Sequence, residues 1–200
     1  MGRERWMALA FALGSACFVV GPLPGYATRV GASADAVTFF VGSILFTTGG
    51  ALQTWLAVPG RHASPAGRAA WRAAFVQSAG TLCFNVTTFR ALSTTISNPG
   101  YDKLVWRPDA LGSICFLVSA AIAYRAPPRE WEAAVNLLGC ILFGISAVAG
   151  HVDPSTGSAH LAIANVTTAL GAACFLVNAL WTLRPKRMTR GHRRRVSVAP

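Results

Sequence analysis

The sequence has few charged residues and many apolar ones. Charged side chains make up 12% of its 200 residues, whereas 53% are hydrophobic. The apolar residues come in blocks of about 20 with almost no charge, long enough to cross roughly 30 Å of hydrocarbon. A water-soluble domain of this size has too small an interior to bury such blocks, so the composition excludes that class and indicates a membrane protein.

Several signatures of chemistry are also missing. The five cysteines include no C-x-x-C pair, which argues against disulfide exchange and against a metal cluster. No acidic residue lies deep in an apolar block, although proton-coupled carriers usually have one there. The nearest approach to a set of catalytic or metal-binding ligands is His151, Asp153 and His160, which are loosely grouped around one loop. We therefore expect no cofactor, no metal and no enzymatic activity.

The net charge of +11 does not indicate a nucleic-acid partner, because the sequence shows neither a basic face with interleaved aromatic residues nor a known recognition module. Seven of the 18 basic residues lie in the last 17 positions. We expect residues 186–200 to form a disordered cytoplasmic tail that contacts anionic lipid headgroups.

The apolar blocks predict an all-α fold, a bundle of six transmembrane helices within a domain of residues 1–185. Proline and glycine separate several of the blocks, as at Pro59 and Gly60, because these residues cannot continue a helix. The predicted spans cover about residues 6–23, 36–58, 70–92, 108–124, 131–150 and 159–183. The segment 93–106 between the third and fourth spans is expected to be a surface loop.

The distribution of basic and tryptophan residues predicts the orientation of the spans. With six spans, fourteen basic residues fall on the side of the termini and three on the other side. Because cytoplasmic loops are enriched in Lys and Arg, this count places both termini in the cytoplasm. Tryptophan prefers the membrane interface, and five of the six fall at the same side. These five are Trp6, Trp55, Trp71, Trp131 and Trp181.

Every predicted span contains a glycine followed four residues later by phenylalanine. The six copies are GSACF, GSILF, GTLCF, GSICF, GCILF and GAACF, and they begin at Gly14, Gly42, Gly80, Gly112, Gly139 and Gly171. We expect these glycines to be helix-packing positions, because small residues let helices approach closely in lipid. The residue before phenylalanine runs Cys, Leu, Cys twice, which suggests two inverted three-helix repeats; convergence on the same packing is the alternative.

Three segments, GSILFTTGGALQ, WRPDALGSICFLVSA and LLGCILFGISAVAG, resemble the YrhK-like family of small bacterial membrane proteins. The resemblance covers mainly the second, fourth and fifth spans. It implies a bacterial plasma-membrane protein, and no activity or catalytic residue comes with it.

Two similar polar segments, NVTT at residues 85–88 and at residues 165–168, are predicted to lie on antiparallel helices in the outer half of the membrane. Arg90 lies nearby, and Asp102 and Asp109 are its candidate partners. The functional hypothesis is an outward-facing polar pocket for a small anion or a lipid headgroup. It would be lined by Asn85, Thr88, Arg90, Asn165 and Thr168. The alternative is that these groups only form hydrogen bonds between helices, and that Arg90 reaches the headgroups.

Two functions remain open at this point, besides an enzyme acting on lipid, for which the loose group of His151, Asp153 and His160 is the nearest approach to a catalytic set. The first is a non-enzymatic helical bundle for assembly, self-association, or binding of a partner or lipid, favoured by small-residue packing in every span. The second is a small-solute or lipid transporter or channel, favoured by the polar cluster. The polar residues nearer the cytoplasmic side are interpreted as contacts between helices. They are Gln53, Gln77, Asn136 and Asn178.

Overall fold

The computed structural model describes residues 2–93, 98–127, 130–153, 156 and 159–184. Every regular element within this part of the chain is helical, which confirms the all-α prediction. In chain order the elements are α1 (Arg3–Val20), α2 (Tyr26–Val30), α3 (Ala32–Ala57), a 3₁₀ segment (Val58–His62), α4 (Pro65–Ala91), α5 (Asn98–Tyr101), a π-helical segment (Asp102–Trp106), α6 (Arg107–Arg125), α7 (Trp131–Ala149) and α8 (Leu161–Leu183). The predicted tail, residues 186–200, lies outside the described residues.

Each predicted span falls on one of the six long helices, α1, α3, α4, α6, α7 and α8. Four stretches are long and apolar enough to cross a membrane, namely Ala32–His62, Asp102–Arg125, Trp131–Ala149 and Leu161–Leu183. The helices α1 and α4 are not among them. The helix α1 has three charged residues in its first turn, and α4 contains several amide and hydroxyl side chains.

The turn between α3 and α4 shows how the sequence ends one helix and begins the next. Pro59 and Gly60 tighten the end of α3 into the 3₁₀ segment. Ser64 then caps α4, because its hydroxyl oxygen accepts a hydrogen bond of 2.9 Å from the backbone N–H of Gly67. Pro65 occupies the first helical position, where its missing N–H costs nothing. The turn is therefore short, and α3 and α4 pack side by side.

The six long helices form a closed ring in chain order. Each packs against its neighbours in the chain, and α8 packs against α1. Successive helices are antiparallel, since Gly14 lies against Phe46 while Gly42 lies against Phe18. The start of α1 and the end of α8 consequently lie at the same end of the ring. We call this the terminal end, and the other the opposite end.

The predicted pair of inverted three-helix repeats does not fit this ring. Inverted repeats are related by a two-fold rotation about an axis in the membrane plane. Viewed from one end, such a rotation would change a clockwise order of three helices into an anticlockwise one. The helices α6, α7 and α8 continue round the ring in the same sense as α1, α3 and α4. The prediction is therefore wrong, and the contacts group the helices as three antiparallel pairs instead.

The segment predicted as a loop, 93–106, is helical from Asn98 onwards and runs without a break into α6. The amide N–H of Arg107 bonds to the carbonyl of Asp102, which gives the wider π-helical turn. Pro108 follows at once, and its ring would clash with the preceding turn of a regular helix. A π-helical turn before it provides the extra room, so the proline does not end the helix.

Candidate functional site

The glycine and phenylalanine residues of the repeated motif meet in reciprocal pairs. In α4 and α6, a Cβ built on Gly80 would lie 2.8 Å from the Phe116 ring, and one on Gly112 would lie 3.2 Å from the Phe84 ring. Each ring thus fills the space that the partner's glycine leaves open. The same reciprocal arrangement joins α1 to α3 and α7 to α8. The two helices of each antiparallel pair therefore approach most closely where their two motifs meet.

The six phenylalanines converge on the axis of the ring, and each is at most 7% exposed. Phe46, Phe116 and Phe175 contact one another with ring centroids 5.8–6.5 Å apart. On their opposite-end side Phe143 contacts Phe18 and Phe84 at 6.0 and 5.9 Å. Since antiparallel helices supply the two sets, they form two stacked triangles. We call these six side chains the phenylalanine layer; the space left within it is about 10 Å³.

A cavity of about 580 Å³ lies on the terminal-end side of the phenylalanine layer. All six long helices line it. Phe11, Phe46 and Phe175 form part of its lining, and small residues such as Ala70, Ala74 and Ala123 form much of the rest. Its volume is within the range of roughly 300–1,000 Å³ that is usual for small-molecule sites. The remaining lining residues are Met7, Ala8, Gln53, Ala66, Gly67, Ala73, Gln77, Ser119, Ala126, Pro127, Glu130, Glu132, Ala133, Asn136, Asn178, Ala179 and Thr182.

Four amide side chains of the lining, interpreted from the sequence as contacts between helices, meet at this cavity: Gln53, Gln77, Asn136 and Asn178. Two of them do contact neighbouring helices. Ser119 donates to the carbonyl of Ala73 at 2.7 Å and lies 3.4 Å from the Gln77 side-chain oxygen. The amide nitrogen of Asn178 donates to the backbone carbonyl of Glu132 at 3.0 Å.

Two amide oxygens of the same set lack a partner. Gln53 Oε1 and Asn178 Oδ1 are buried and make no hydrogen bond to any residue in the described part of the chain. An unsatisfied buried acceptor costs about 1–3 kcal/mol. Both oxygens belong to lining residues but have almost no accessible surface of their own, so a ligand would reach them only if these side chains shift.

The charged residues found in the lining, within the part of the chain that the structure describes, are both acidic. Glu130 and Glu132 lie where the chain enters α7, at the terminal end. Neither forms an ion pair within the residues that the structure describes; the ion pair found there joins Arg107 to Asp102 at 2.9 Å, at the opposite end. The cavity thus has two carboxylates, four amides, a serine and a threonine in a largely apolar wall.

The arginines of the terminal end that the structure describes are exposed, and none of them is among the lining residues of the cavity. Arg3 lies over the Trp55 ring at 4.2 Å, and Arg184 lies over Trp181 at 4.5 Å. Trp181 in turn contacts Trp131 edge to face, with centroids 5.0 Å apart. Because α3 and α8 end there and α7 begins there, the tryptophans gather at one end as the sequence indicated.

The outward-facing pocket suggested by the sequence is not formed. Its residues lie on α4 and α8, which occupy opposite sides of the ring and each pack against other helices. Thr88 is buried, and its hydroxyl shares a 2.8 Å hydrogen bond with Ser43 of α3. Thr168 shares one of 2.6 Å with Ser146 of α7. The two threonines therefore join neighbouring helices instead of facing each other.

The other three residues of that hypothesis also lie apart. Arg90 and Asn165 are exposed, and Asn85 is partly buried with its side-chain oxygen unpaired among the described residues. Asp102, a candidate partner of Arg90, is paired with Arg107 instead. The sequence grouped residues of α4 and α8 that the fold keeps apart, because it did not reveal which helices are neighbours.

Nothing in the described residues forms a metal site, and the five cysteines are unpaired there. His151 packs against the Trp106 ring at 4.5 Å, where the indole N–H of Trp106 donates to the carbonyl of Ala147 at 2.8 Å. This histidine therefore helps to close the opposite end.

Comparison with known proteins gives no relative: no protein-family model, curated protein or solved structure matches the chain. The resemblance to the YrhK-like family stays a prediction. Function has to be argued from the cavity itself.

Proposed function

We propose that this protein is a small-solute transporter or channel, in which all six long helices cross the membrane. The proposal is carried by one observation, an axial cavity that all six helices line and that the phenylalanine layer separates from the opposite end. A cavity on one side of a hydrophobic constriction is the arrangement of a pathway closed at one level.

Two of the proposed crossings, α1 and α4, need a separate argument. The helix α4 has 27 residues and would be about 40 Å long at the usual helical rise. Its polar residues Gln77 and Thr88 are buried inside the ring, while Leu82 and Phe89 are exposed. Mean hydropathy counts both sets, whereas lipid meets only the exposed one. The charges of α1 lie in its first turn, where they would reach headgroups.

The residues of the terminal end indicate how the ring would be oriented in the membrane. Its arginines and five tryptophans favour the cytoplasmic boundary of a bacterial plasma membrane, with both termini inside. The cavity would then open to the cytoplasm, and the opposite end would face outward. This reverses the side on which the sequence suggested a pocket.

Assembly, or the binding of a partner or lipid, is the second candidate. The reciprocal glycine and phenylalanine pairs favour it, because they hold the bundle together without requiring a ligand. It does not account for a cavity with unpaired acceptors, which a purely structural bundle would be expected to fill with side chains. We therefore place it second.

Flux into proteoliposomes tests the proposal. The purified full chain would be reconstituted and given three radiolabelled probes that carry no titrating group, namely choline (cationic), isethionate (anionic) and erythritol (neutral), with potassium and valinomycin to cancel any membrane potential. We expect at least one probe to enter faster than into empty vesicles. Ala133→Trp should abolish that uptake, because Ala133 lines the cavity and indole would occupy it.

Leu138→Trp is the matched control, since it adds the same group to the exposed face of the same helix. It should leave uptake unchanged. If none of the three probes enters faster than into empty vesicles, or if Ala133→Trp and Leu138→Trp behave alike, the transport proposal fails. Assembly would then be the better account.

A further inference from the structure

The cavity has a chemical preference that the proposal of transport does not specify. We infer that it takes small organic ammonium cations that carry a hydrogen-bond donor, entering from the terminal end. The inference rests on the proposed function and names its substrate class. It is argued from the charge, the hydrogen-bonding groups and the aromatic residues of the lining.

Charge is the first argument. Among the described residues, the lining contains Glu130 and Glu132 and no Lys, Arg or His. Within the described residues neither carboxylate is neutralised by an ion pair. Opposite charges attract more strongly in a partly desolvated cavity than in bulk water. An anion would have to approach two carboxylates without a compensating positive charge in the lining.

Hydrogen bonding is the second argument. The oxygens Gln53 Oε1 and Asn178 Oδ1 belong to lining residues and are buried and unpaired among the described residues, so each would gain a hydrogen bond if its side chain shifted toward a donor in the cavity. An oxygen of this kind can only accept. The Asn178 nitrogen has already donated one of its two hydrogens to the Glu132 carbonyl. The ligand that completes these contacts is therefore a donor.

The aromatic residues supply the third argument. Phe46 and Phe175 belong to both the cavity lining and the phenylalanine layer, and their ring centroids are 5.8 Å apart. The face of an aromatic ring attracts cations, and quaternary ammonium groups are commonly bound in this way. A cation drawn past the carboxylates would thus meet aromatic residues at the level where the axis is closed.

The exposed arginines of the terminal end do not oppose this preference. Arg3 and Arg184 lie over tryptophan rings on the rim, and neither lines the cavity. In salt solution, interactions between exposed charges fade beyond about 8–10 Å. The carboxylates in the lining therefore dominate for a solute that has entered.

The three probes of the flux assay also test this inference, because choline combines a quaternary ammonium with a hydroxyl donor. We expect choline uptake to exceed isethionate and erythritol uptake by about tenfold, which corresponds to about 1.4 kcal/mol. Glu132→Gln should lower choline uptake and choline binding, measured calorimetrically on the full chain in detergent, by a similar factor. The backbone carbonyl that Asn178 uses is retained in this variant.

Glu130→Gln provides a second variant. Glu130 is exposed and precedes α7, so its substitution should not disturb helix packing. Asp102→Asn removes one negative charge at the opposite end and should change neither measurement. If isethionate or erythritol is carried in preference to choline, or if both Glu variants leave choline uptake unchanged, the cation inference is wrong and transport still stands. If no probe is carried, transport fails and the inference fails with it.

Discussion

The two halves of the ring, on either side of the phenylalanine layer, differ in the space between their helices. In the opposite-end half, hydroxyl groups bond directly between neighbouring helices, as Ser43 does with Thr88 and Ser146 with Thr168. In the terminal-end half, the oxygens of Gln53 and Asn178 stay unpaired beside a cavity. The same helices thus form a closed half and an open half. Polar residues join the helices where the helices touch, and some of them also line the cavity where the helices separate.

Two further hydrogen bonds join neighbouring elements at the opposite end. Thr87 donates to the carbonyl of Val105 at 3.0 Å, and the Trp106 indole donates to the carbonyl of Ala147 at 2.8 Å. These bonds attach the π-helical segment to α4 on one side and to α7 on the other.

The largest effect, an increase in flux, is expected from a substitution that opens the phenylalanine layer between the two halves. Phe116 is 1% exposed and contacts Phe46, Phe84, Phe143 and Phe175. Phe116→Ala should widen the layer and raise choline flux into proteoliposomes by about tenfold or more, the change that follows from lowering a barrier by about 1.4 kcal/mol.

Phe75→Ala is the matched control, because Phe75 is 56% exposed on the outside of α4. It should leave flux at the wild-type level. Size-exclusion chromatography would show whether both variants remain monodisperse. Equal flux in Phe116→Ala and wild type, with both proteins folded, would contradict the role of the layer as the closure between the halves.

A smaller effect is expected from glycine substitutions. They compare the tightly packed pair of α7 and α8 with the more loosely packed pair of α6 and α7. A Cβ on Gly171 would lie 2.6 Å from Phe143 and 2.9 Å from the backbone oxygen of Gly139, so the backbone itself would have to shift. Gly171→Ala should cost about 1–3 kcal/mol of stability, as overpacking does. Thermal unfolding in mild detergent would measure it.

Gly144→Ala is the matched control on α7. Its nearest contact, at 3.2 Å, would be the flexible end of Leu117. We expect a loss below about 1 kcal/mol, because that side chain can move aside. A Gly144→Ala variant as unstable as Gly171→Ala would show that the reciprocal glycines are not special packing positions.

The smallest effect concerns the bonds of the closed half. Thr88→Val keeps the shape of the side chain and removes its hydrogen bond to Ser43. Such bonds between membrane helices contribute about 0.6 kcal/mol on average, so we expect a loss of that order in the same unfolding assay. Asn165→Ala, at an exposed position, should be neutral. A larger loss at Asn165 than at Thr88 would contradict the assignment of the two residues.

The sequence predicts the helices well because the signals for them are local. Runs of apolar residues fix their number, and proline and glycine mark turns such as Val58–His62. The antiparallel order and the gathering of tryptophans at one end follow directly. The π-helical entry to α6 was missed because proline normally marks an end, and only the wider turn before Pro108 lets the helix continue.

The cavity could not be predicted from the sequence, because it depends on contacts between residues far apart in the chain. Asn85 and Asn165 occur in identical tetrapeptides, yet α4 and α8 stand across the ring from each other. Gln53 and Asn178 look like ordinary contacts between helices, and only the separation of the helix ends turns them toward a cavity. Which helices are neighbours, and how far apart their ends lie, depends on packing over the whole chain.

The contact between α1 and α8 has a consequence for how the protein is made. The helix α8 is made after α1, so one side of α1, and with it the wall of the ring, stays uncovered until α8 has been synthesised. Until then the phenylalanine side chains are accessible from that side. A chain truncated before Leu161 would accordingly form an open cleft, with no enclosed axis.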